Sequence, residues 1–480
     1  METPVSAKKN VHDLSPAKRA LLEKRLRGQW MPNCAGETIS PPRPRPQSIP
    51  LSFAQRQLWL LHQMYGPAEL YNVPFALRLH GALNADALHQ ALNDLLARHE
   101  SLRTIFPDHL GSPKQVILPP EQAEVVLHHA ETSEIAVATV LAEASQTTFD
   151  ISCEIPVRGF LFRIGPAEHV LLLLFHHVAI DGWSLGPLRR DLTEAYAARC
   201  RSEAPHWAPM PIQYADYTLW QHAMLGDEND SDSVISRELA YWRSTLAGLP
   251  EGLELPFDRP RPAVPSSRGG SITFSVSADV HQSLSSLAAE SQTSLFMTFQ
   301  AAVAITLTRL GAGNDIPLGT AIVGRNNEAL NSLIGCFVNT LVLRNDTSGN
   351  PTVSEVLTRI REGNLAAYAH QNLPFERLVE HLNPSRSANR QPLFQVMLEI
   401  QGATDRSFRF GYLEAELQHV EIRSAKYDLT FSLTERRSAN RGPAGLDGRI
   451  DYSSELFDEP TAEAISDRLL RVLEAMAKDP

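Results

Sequence analysis

Cysteine is scarce in this chain. Its 480 residues hold four, Cys34, Cys153, Cys200 and Cys336, with no Cys-x-x-Cys pair among them. That spacing makes no disulfide framework, and a reducing, cytoplasmic setting fits it best. Long apolar runs are also missing. Nothing approaches the roughly 20 residues a bilayer span requires, and the polar N-terminus has no signal-peptide core. Positive charge is in deficit, with 44 Lys and Arg against 55 Asp and Glu for a net −11. Such a balance argues against a nucleic-acid binder. What remains is an ordinary globular composition, 43% hydrophobic and 21% charged, able to build a large core. The length suggests two or three domains rather than one.

One stretch organises the rest: Val170-Leu-Leu-Leu-Leu-Phe-His176-His177-Val-Ala-Ile-Asp181-Gly182-Trp183-Ser184. The short unbroken run before the histidines suits a strand buried on both faces. Successive strand side chains point to opposite faces. If the strand continues, one histidine can be a working base while the other packs into the scaffold. Asp181 and Gly182 then fall in a turn, where glycine permits backbone angles other residues resist. Ser184 is the expected cap of a helix running towards Cys200, with Leu188, Leu192, Ala195 and Tyr196 on one face.

A neutral histidine is the natural general base for an attacking amine, thiol or hydroxyl. Asp181 has two jobs open to it: orienting the imidazole, or holding the loop through a distant arginine. Taken alone, two adjacent histidines are more often structural than catalytic. A metal site lacks its usual signs, with no His-Glu-x-x-His helix and no second ligand cluster nearby.

The first fifty residues differ from the rest. Residues 15–28 read as a short basic amphipathic helix, with serine as cap, proline first and glycine closing. Leu21, Leu22 and Leu26 cluster on it. It is either a docking element or a solvated leader. Residues 32–50 are proline-rich and read as an extended linker. Beyond them, helix and strand patterns alternate twice. The first series includes a serine-capped helix from Ser52, strands near 73–80, 115–118 and 157–164, and a helix at 84–99. That helix runs into Arg103, a candidate partner for Asp181. A polar stretch from Gly226 to Ser233 marks a boundary or a mobile loop. The second series has strands near 271–276, 316–323, 334–343, 393–400, 429–434 and 449–452. Helices are expected at 281–290, 294–310, 353–369 and 461–478. Asn339, a polar amide in an apolar run, needs a hydrogen-bond partner. The division expected is a leader at 1–47, a first lobe at 48–226 and a second at 227–480.

From about Ser48 onwards the chain resembles a condensation domain of non-ribosomal peptide synthetases. Seven segments carry the resemblance, in the family's order. They are the His176-His177-Val-Ala-Ile-Asp181-Gly182 motif, Leu51-Ser-Phe-Ala-Gln-Arg-Gln-Leu-Trp59 and Arg98-His-Glu-Ser-Leu-Arg103-Thr-Ile-Phe106. Tyr214-Ala-Asp-Tyr-Thr-Leu-Trp220, Ile334-Gly-Cys-Phe-Val-Asn-Thr340, His370-Gln-Asn-Leu-Pro-Phe-Glu376 and Gln391-Pro-Leu-Phe-Gln395 follow.

The resemblance implies an α/β (α+β) fold of two chloramphenicol acetyltransferase-like lobes in a V-shaped pseudo-dimer, with a tunnel between them. It implies donor and acceptor carrier domains at opposite mouths, each presenting a thioester on a phosphopantetheine arm, and an adenylation domain nearby in a larger synthetase. By the resemblance the domain itself is expected to hold no cofactor, and its motifs, charge and lack of long apolar runs lead us to expect no metal and no nucleic-acid or membrane partner. The acceptor's amine attacks the donor thioester and forms an amide. By the family pattern His177 sits at the tunnel centre, as general base or as a positioning group, with His176 beside it. Asp181 is mainly structural, through an arginine for which Arg103 is the candidate. The Gly182 N–H could polarise a carbonyl. Arg103 and Asn339 are expected to support the site, and Trp183, Ser184 and Cys336 to line the tunnel. Cys336 stands where the family usually has an aromatic residue.

Both histidines are present, unlike in heterocyclisation relatives, and the added N-terminal histidine motif of dual epimerisation/condensation domains is absent. The pattern most resembles domains joining an L-donor to an L-acceptor. A start methionine and a leader suggest a domain that opens its polypeptide, cut from a larger synthetase. A starter domain with a fatty acyl donor, a free-standing acyl-CoA acyltransferase and a non-catalytic carrier-recruiting platform are the alternatives.

Overall fold

Strands account for most of the frame that carries the histidines. The computed structural model describes residue 39 and residues 44–108, 111–263, 266–383, 390–401, 406–421, 424–438 and 442–479. The helix expected at 15–28 and most of the proline-rich segment lie outside the described residues. In chain order the strands are β1 (Asn72–His80), β2 (Thr104–Ile105), β3 (Val116–Ile117), β4 (Leu127–Glu131), β5 (Val157–Gly165), β6 (Glu168–His176) and β7 (Gly269–Val276). They continue as β8 (Asp315–Ile322), β9 (Asn339–Asp346), β10 (Val396–Gln401), β11 (Ser407–Phe410), β12 (Leu413–Gln418), β13 (Leu429–Arg437) and β14 (Pro443–Ser453).

Two six-stranded sheets form, one per lobe, with orders β11-β12-β1-β6-β5-β4 and β7-β14-β13-β10-β8-β9. In the first, β6 lies between β1 and β5, antiparallel to both. Leu171, Leu173 and Phe175 face a core shared with helices 85–98 and 185–199. Val170 and Leu172 face the opposite cluster, with Val137 and Leu141 of helix 137–145. Coverage on both faces is why this strand reads as an unbroken apolar run rather than an alternation. The second sheet has β10 at its centre, parallel to β8 and β13. Helices 278–290, 295–309, 353–369 and 459–478 supply its core.

The expected division at 226 needs one correction. Strands β11 and β12 lie well inside the expected second lobe, yet they complete the first sheet, with Ala76 to His80 paired to Gln418 to Glu414. Phe410, Leu413 and Ala415 accordingly bury in the first lobe's core. The Phe410 ring stacks on Tyr196 with centroids 4.8 Å apart. The alternation of Leu413 and Ala415 with glutamates gives the strand one buried face, and the edge of the first sheet is where that face is covered. Phe410→Ala is therefore expected to loosen the junction of the two lobes as well as one core. The expected cost is about 3–5 kcal/mol, read from urea unfolding.

A smaller knot closes the junction from another side. Ile39, Ile212, Tyr214 and Tyr217 pack with Leu330, Leu333 and Phe337. Helix 53–65 also bridges the two cores, placing Phe53 in one and Leu58 and Trp59 in the other. Its start follows the sequence: Ser52 Oγ accepts from Gln55 N–H, and the Gln55 side chain accepts from Ser52 N–H, a capping box.

Candidate active site

Strand β6 ends at His176, and a turn carries the next residues out of the sheet. Val178, Ala179 and Ile180 are fully buried, so the turn is rooted in the core. The His177 N–H donates to Tyr71 O at 2.8 Å, which ties the turn to the start of β1. His176 is 3% exposed. Its Nδ1 accepts from the Val178 N–H at 3.1 Å, and its ring lies near those of Tyr71 and Phe149. Burial, reinforced by neighbouring His177, pushes its pKa down to about 3. His176 is thus a neutral scaffold group.

Both histidines reach the wall of the same cavity, and His177 is the more exposed of the two. That cavity, of about 950 Å³, is lined from both lobes, by Tyr71 and Cys336 among others. The His177 Nδ1 lies 3.4 Å from Cys336 Sγ. Its own main chain favours the protonated ring, against the larger effect of burial. With Nδ1 beside Cys336, Nε2 is the other ring nitrogen open to a partner. Burial first, then the Lys426 ammonium, lower its pKa to about 4. Since protonation is opposed, the ring is uncharged from about pH 5 upwards. The rate of any step that needs the free imidazole should therefore fall only as pH drops towards 4, with no inflection at the usual 6.5. The ratio of wild-type to His177→Ala single-turnover rates between pH 4 and 7 checks this, because the titration of the substrate amine and of other groups cancels in the ratio.

Asp181 lies behind the ring, 1% exposed. Its Oδ2 accepts from the Phe337 N–H at 2.9 Å. Its Oδ1 accepts from the Ser184 N–H and faces Ser184 Oγ, each at 2.8 Å. The arginine that pairs with it is Arg325, with Nη2 at 3.4 Å from Oδ1. Arg325 also donates to Leu330 O, Leu333 O and Ser184 Oγ, and its guanidinium lies 4.1 Å from the Phe337 ring centroid. The expected Arg103 is occupied elsewhere, donating to Leu96 O and Leu118 O within its own lobe. Asp181 and Arg325 thus fasten the histidine turn to the segment 330–337. Gly324, at φ +64°, is required there, because a Cβ would meet Phe337 O at 1.8 Å.

The other expected site residues divide. Ser184 is not the side-chain cap of helix 185–199. Its hydroxyl is fully buried between Asp181, Gly335 and Arg325, and Asp181 provides the cap one turn earlier. Gly182 and Trp183 are exposed. None of Gly182, Trp183 and Ser184 borders the cavity, so the expected tunnel positions Trp183 and Ser184 are corrected. Cys336 does border it, and burial pushes its thiol well above the usual range, which makes it a neutral wall group. Asn339 begins β9 instead of lying within a strand from 334. Its Nδ2 donates to Gln371 O and Leu373 O, and its Oδ1 accepts from the Phe375 N–H. The segment 371–375 is thereby clamped to the sheet.

Sequence reasoning missed Arg325, Tyr71 and Lys426, and left Glu376 without a role. Lys426 borders the cavity with its Nζ 5.0 Å from the Tyr71 ring centroid. Among the described residues no group of three His, Cys, Asp or Glu could hold a metal ion, and no helix is long and apolar enough to cross a membrane.

An imidazole on the wall of a cavity lined from both lobes can orient or deprotonate an incoming nucleophile. A family model described as "Condensation domain" matches residues 46–480. The chain belongs to the condensation domain family. It is 52% identical over 436 residues to the "Dimodular nonribosomal peptide synthase" of Bacillus subtilis (strain 168), covering 91% of this chain and 18% of that protein. It is 50% identical over 439 residues to the "Probable non-canonical nonribosomal peptide synthetase (NRPS) CymA" of Salinispora arenicola (strain CNS-205), covering 92% and 6%. The chain therefore spans less than a fifth of the length of either relative. The crystal structure of the X-domain from teicoplanin biosynthesis superimposes with a TM-score of 0.86 at 35% identity, covering 92% of this chain and 98% of that one. The two-lobed arrangement is that of the chloramphenicol acetyltransferase-like fold. Condensation domains are amide-forming acyltransferases that act on substrates tethered to phosphopantetheinylated carriers, beside adenylation and carrier domains in multidomain synthetases.

Proposed function

We propose that this domain joins a carrier-bound aminoacyl amine to an upstream carrier-bound peptidyl or acyl thioester, with His177 at the point of attack. The observation that supports this is the neutral His177 ring on a cavity of about 950 Å³ walled by both lobes. Two pantetheine arms carrying reactive groups can meet only where such a space exists. His177 orients the incoming amine through Nε2 and receives an N–H proton once attack has made that nitrogen acidic. Holding two reactants in attack geometry is itself worth several orders of magnitude. Asp181, Arg325 and His176 act at a distance, by fixing the turn. The motif pattern favours an L-donor and an L-acceptor over a fatty acyl starter.

Single-turnover condensation followed by mass spectrometry tests the reading. Loaded donor and acceptor carriers should yield an extended acyl chain on the acceptor, whereas acyl-CoA in place of the donor carrier should not. Transfer from acyl-CoA at equal rate would favour the free-standing acyltransferase. A second reading is a docking platform, supported by the 35% identity to an X-domain whose structure was solved in complex with OxyB. No product with any donor, together with capture of a partner protein, would favour that reading.

A further inference from the structure

The acceptor amine is a problem that His177 alone does not solve. An α-ammonium releases its proton near pH 8, while the His177 imidazole, at about 4, has little affinity for it. A better-matched proton acceptor has a pKa near the working pH. Of the several carboxylates on the cavity wall, Glu376 is the candidate for this.

Glu376 ends the His370-Gln-Asn-Leu-Pro-Phe-Glu376 motif and enters the cavity wall from the first turn of helix Phe375–Leu382. The Asn339 clamp on residues 371, 373 and 375 fixes where that turn begins. Its Oε1 is buried without a hydrogen-bond partner. Its surroundings are named by the charges that reach it: Arg377 and Glu380 on its own helix, and Arg56 on helix 53–65. Tyr217, on helix 214–225, and Cys336 also feel its charge. Helix 234–245 packs nearby but turns Arg243 to His381. Arg377 is itself paired with Glu228 and Glu380, and the Glu376 Oε1 has no partner among the described residues.

Lys426 and Glu376 both border the cavity. Cys336, in contact with His177, is acted on most strongly by Asp181 among the charged groups around it, then by Lys426, Glu376 and Arg325. The one positive charge that the two reacting groups bring is the acceptor's ammonium. It is repelled by Lys426 and attracted by Glu376.

Building on the condensation reading above, we propose that Glu376 binds the acceptor's α-ammonium and takes a proton from it before attack. The proton passes from nitrogen to the Glu376 carboxylate. The freed lone pair then forms the N–C bond at the donor carbonyl, and the C–S bond breaks. The second proton from that nitrogen, received by His177, passes to the leaving sulfur as the pantetheine thiol, and Glu376 returns its proton to solvent. Burial holds the Glu376 carboxyl up at about 7, which suits a group that must accept and then release a proton near neutrality.

The test is single-turnover condensation by the full chain with loaded carriers, from pH 6.5 to 9, for wild type, Glu376→Gln and Glu376→Asp. Glu376→Gln should be roughly 100-fold slower at pH 7. Its deficit should shrink several-fold by pH 9, where the amine is already neutral in solution. Glu376→Asp, which keeps the carboxylate, should recover part of the loss at pH 7. A deficit of the same size at every pH would mark a structural role and overturn the proposal, as would no deficit at all. Should Glu376→Gln unfold, the Asp variant's rate at pH 7 decides, since a rate equal to wild type's with a flat ratio across pH would be contrary. Absence of product from wild type itself would instead overturn the condensation reading, leaving the two failures distinct.

Discussion

Arg325→Ala is expected to destabilise the domain by about 3–5 kcal/mol, the usual consequence of stranding one member of a buried ion pair. Asp181 is 1% exposed and Arg325 6%. Removing the guanidinium leaves the carboxylate with donors from Ser184 and Phe337 but no counter-charge. It also takes donors from Leu330 O and Leu333 O, and a cation from the face of Phe337. The segment 330–337 should then detach from the histidine turn, and condensation should fail even in molecules that remain folded. Arg325→Lys keeps the charge but not the planar fork, and should fall between the two. Arg103→Ala provides the contrast. Its partners are the carbonyls of Leu96 and Leu118, so it should cost about 1–3 kcal/mol while the rate per folded molecule stays near that of wild type. Urea unfolding combined with single-turnover rates separates the two arginines. Equal losses of rate would mean that the Asp181–Arg325 pair does not hold the site.

His177→Ala should lower the condensation rate by roughly 10²- to 10⁴-fold with little change in stability. The ring's described contacts are the Cys336 sulfur and the cavity, and the link to Tyr71 is made by the main chain, which alanine keeps. His176→Ala should behave in the opposite way. That ring is packed and accepts the Val178 N–H, so its loss strands a buried donor, at about 1–3 kcal/mol, and opens a cavity in the core. Measured side by side, the first variant should fold and fail to react, and the second should react in proportion to how much of it folds. Comparable rate losses in two well-folded variants would contradict the division of labour between the histidines.

Much of this was open to a reader of the sequence. The run from Val170 to Phe175 could be read as a doubly covered strand because both of its faces are apolar, and the structure covers both. The capping box at Ser52 and Gln55 is local, and local chemistry survives folding. Asn339 was identified by its need for partners, although its partners, the carbonyls of Gln371 and Leu373, could not be named in advance. Other features were less accessible. Leu413-Glu-Ala-Glu-Leu-Gln alternates as a strand should, but nothing in the alternation says which sheet it joins. Lys426 sits in no pattern at all, and its importance comes from what it faces. Ser184 followed the rule for helix caps and was recruited instead by Asp181 and Gly335.

By itself, then, the sequence determined the chemistry on offer and the elements that carry it: two histidines after a buried strand, an aspartate in the turn behind them, and the order of segments that marks a condensation domain. Only the tertiary structure decided which groups meet. Arg325 reaches Asp181 across 144 residues, β11 and β12 return to the first sheet, and Glu376 and Lys426 face one cavity from separate segments. The physical reason is that periodicity and capping act over a few residues along the chain. Charge pairing and core burial depend on distance in space, which chain spacing does not encode.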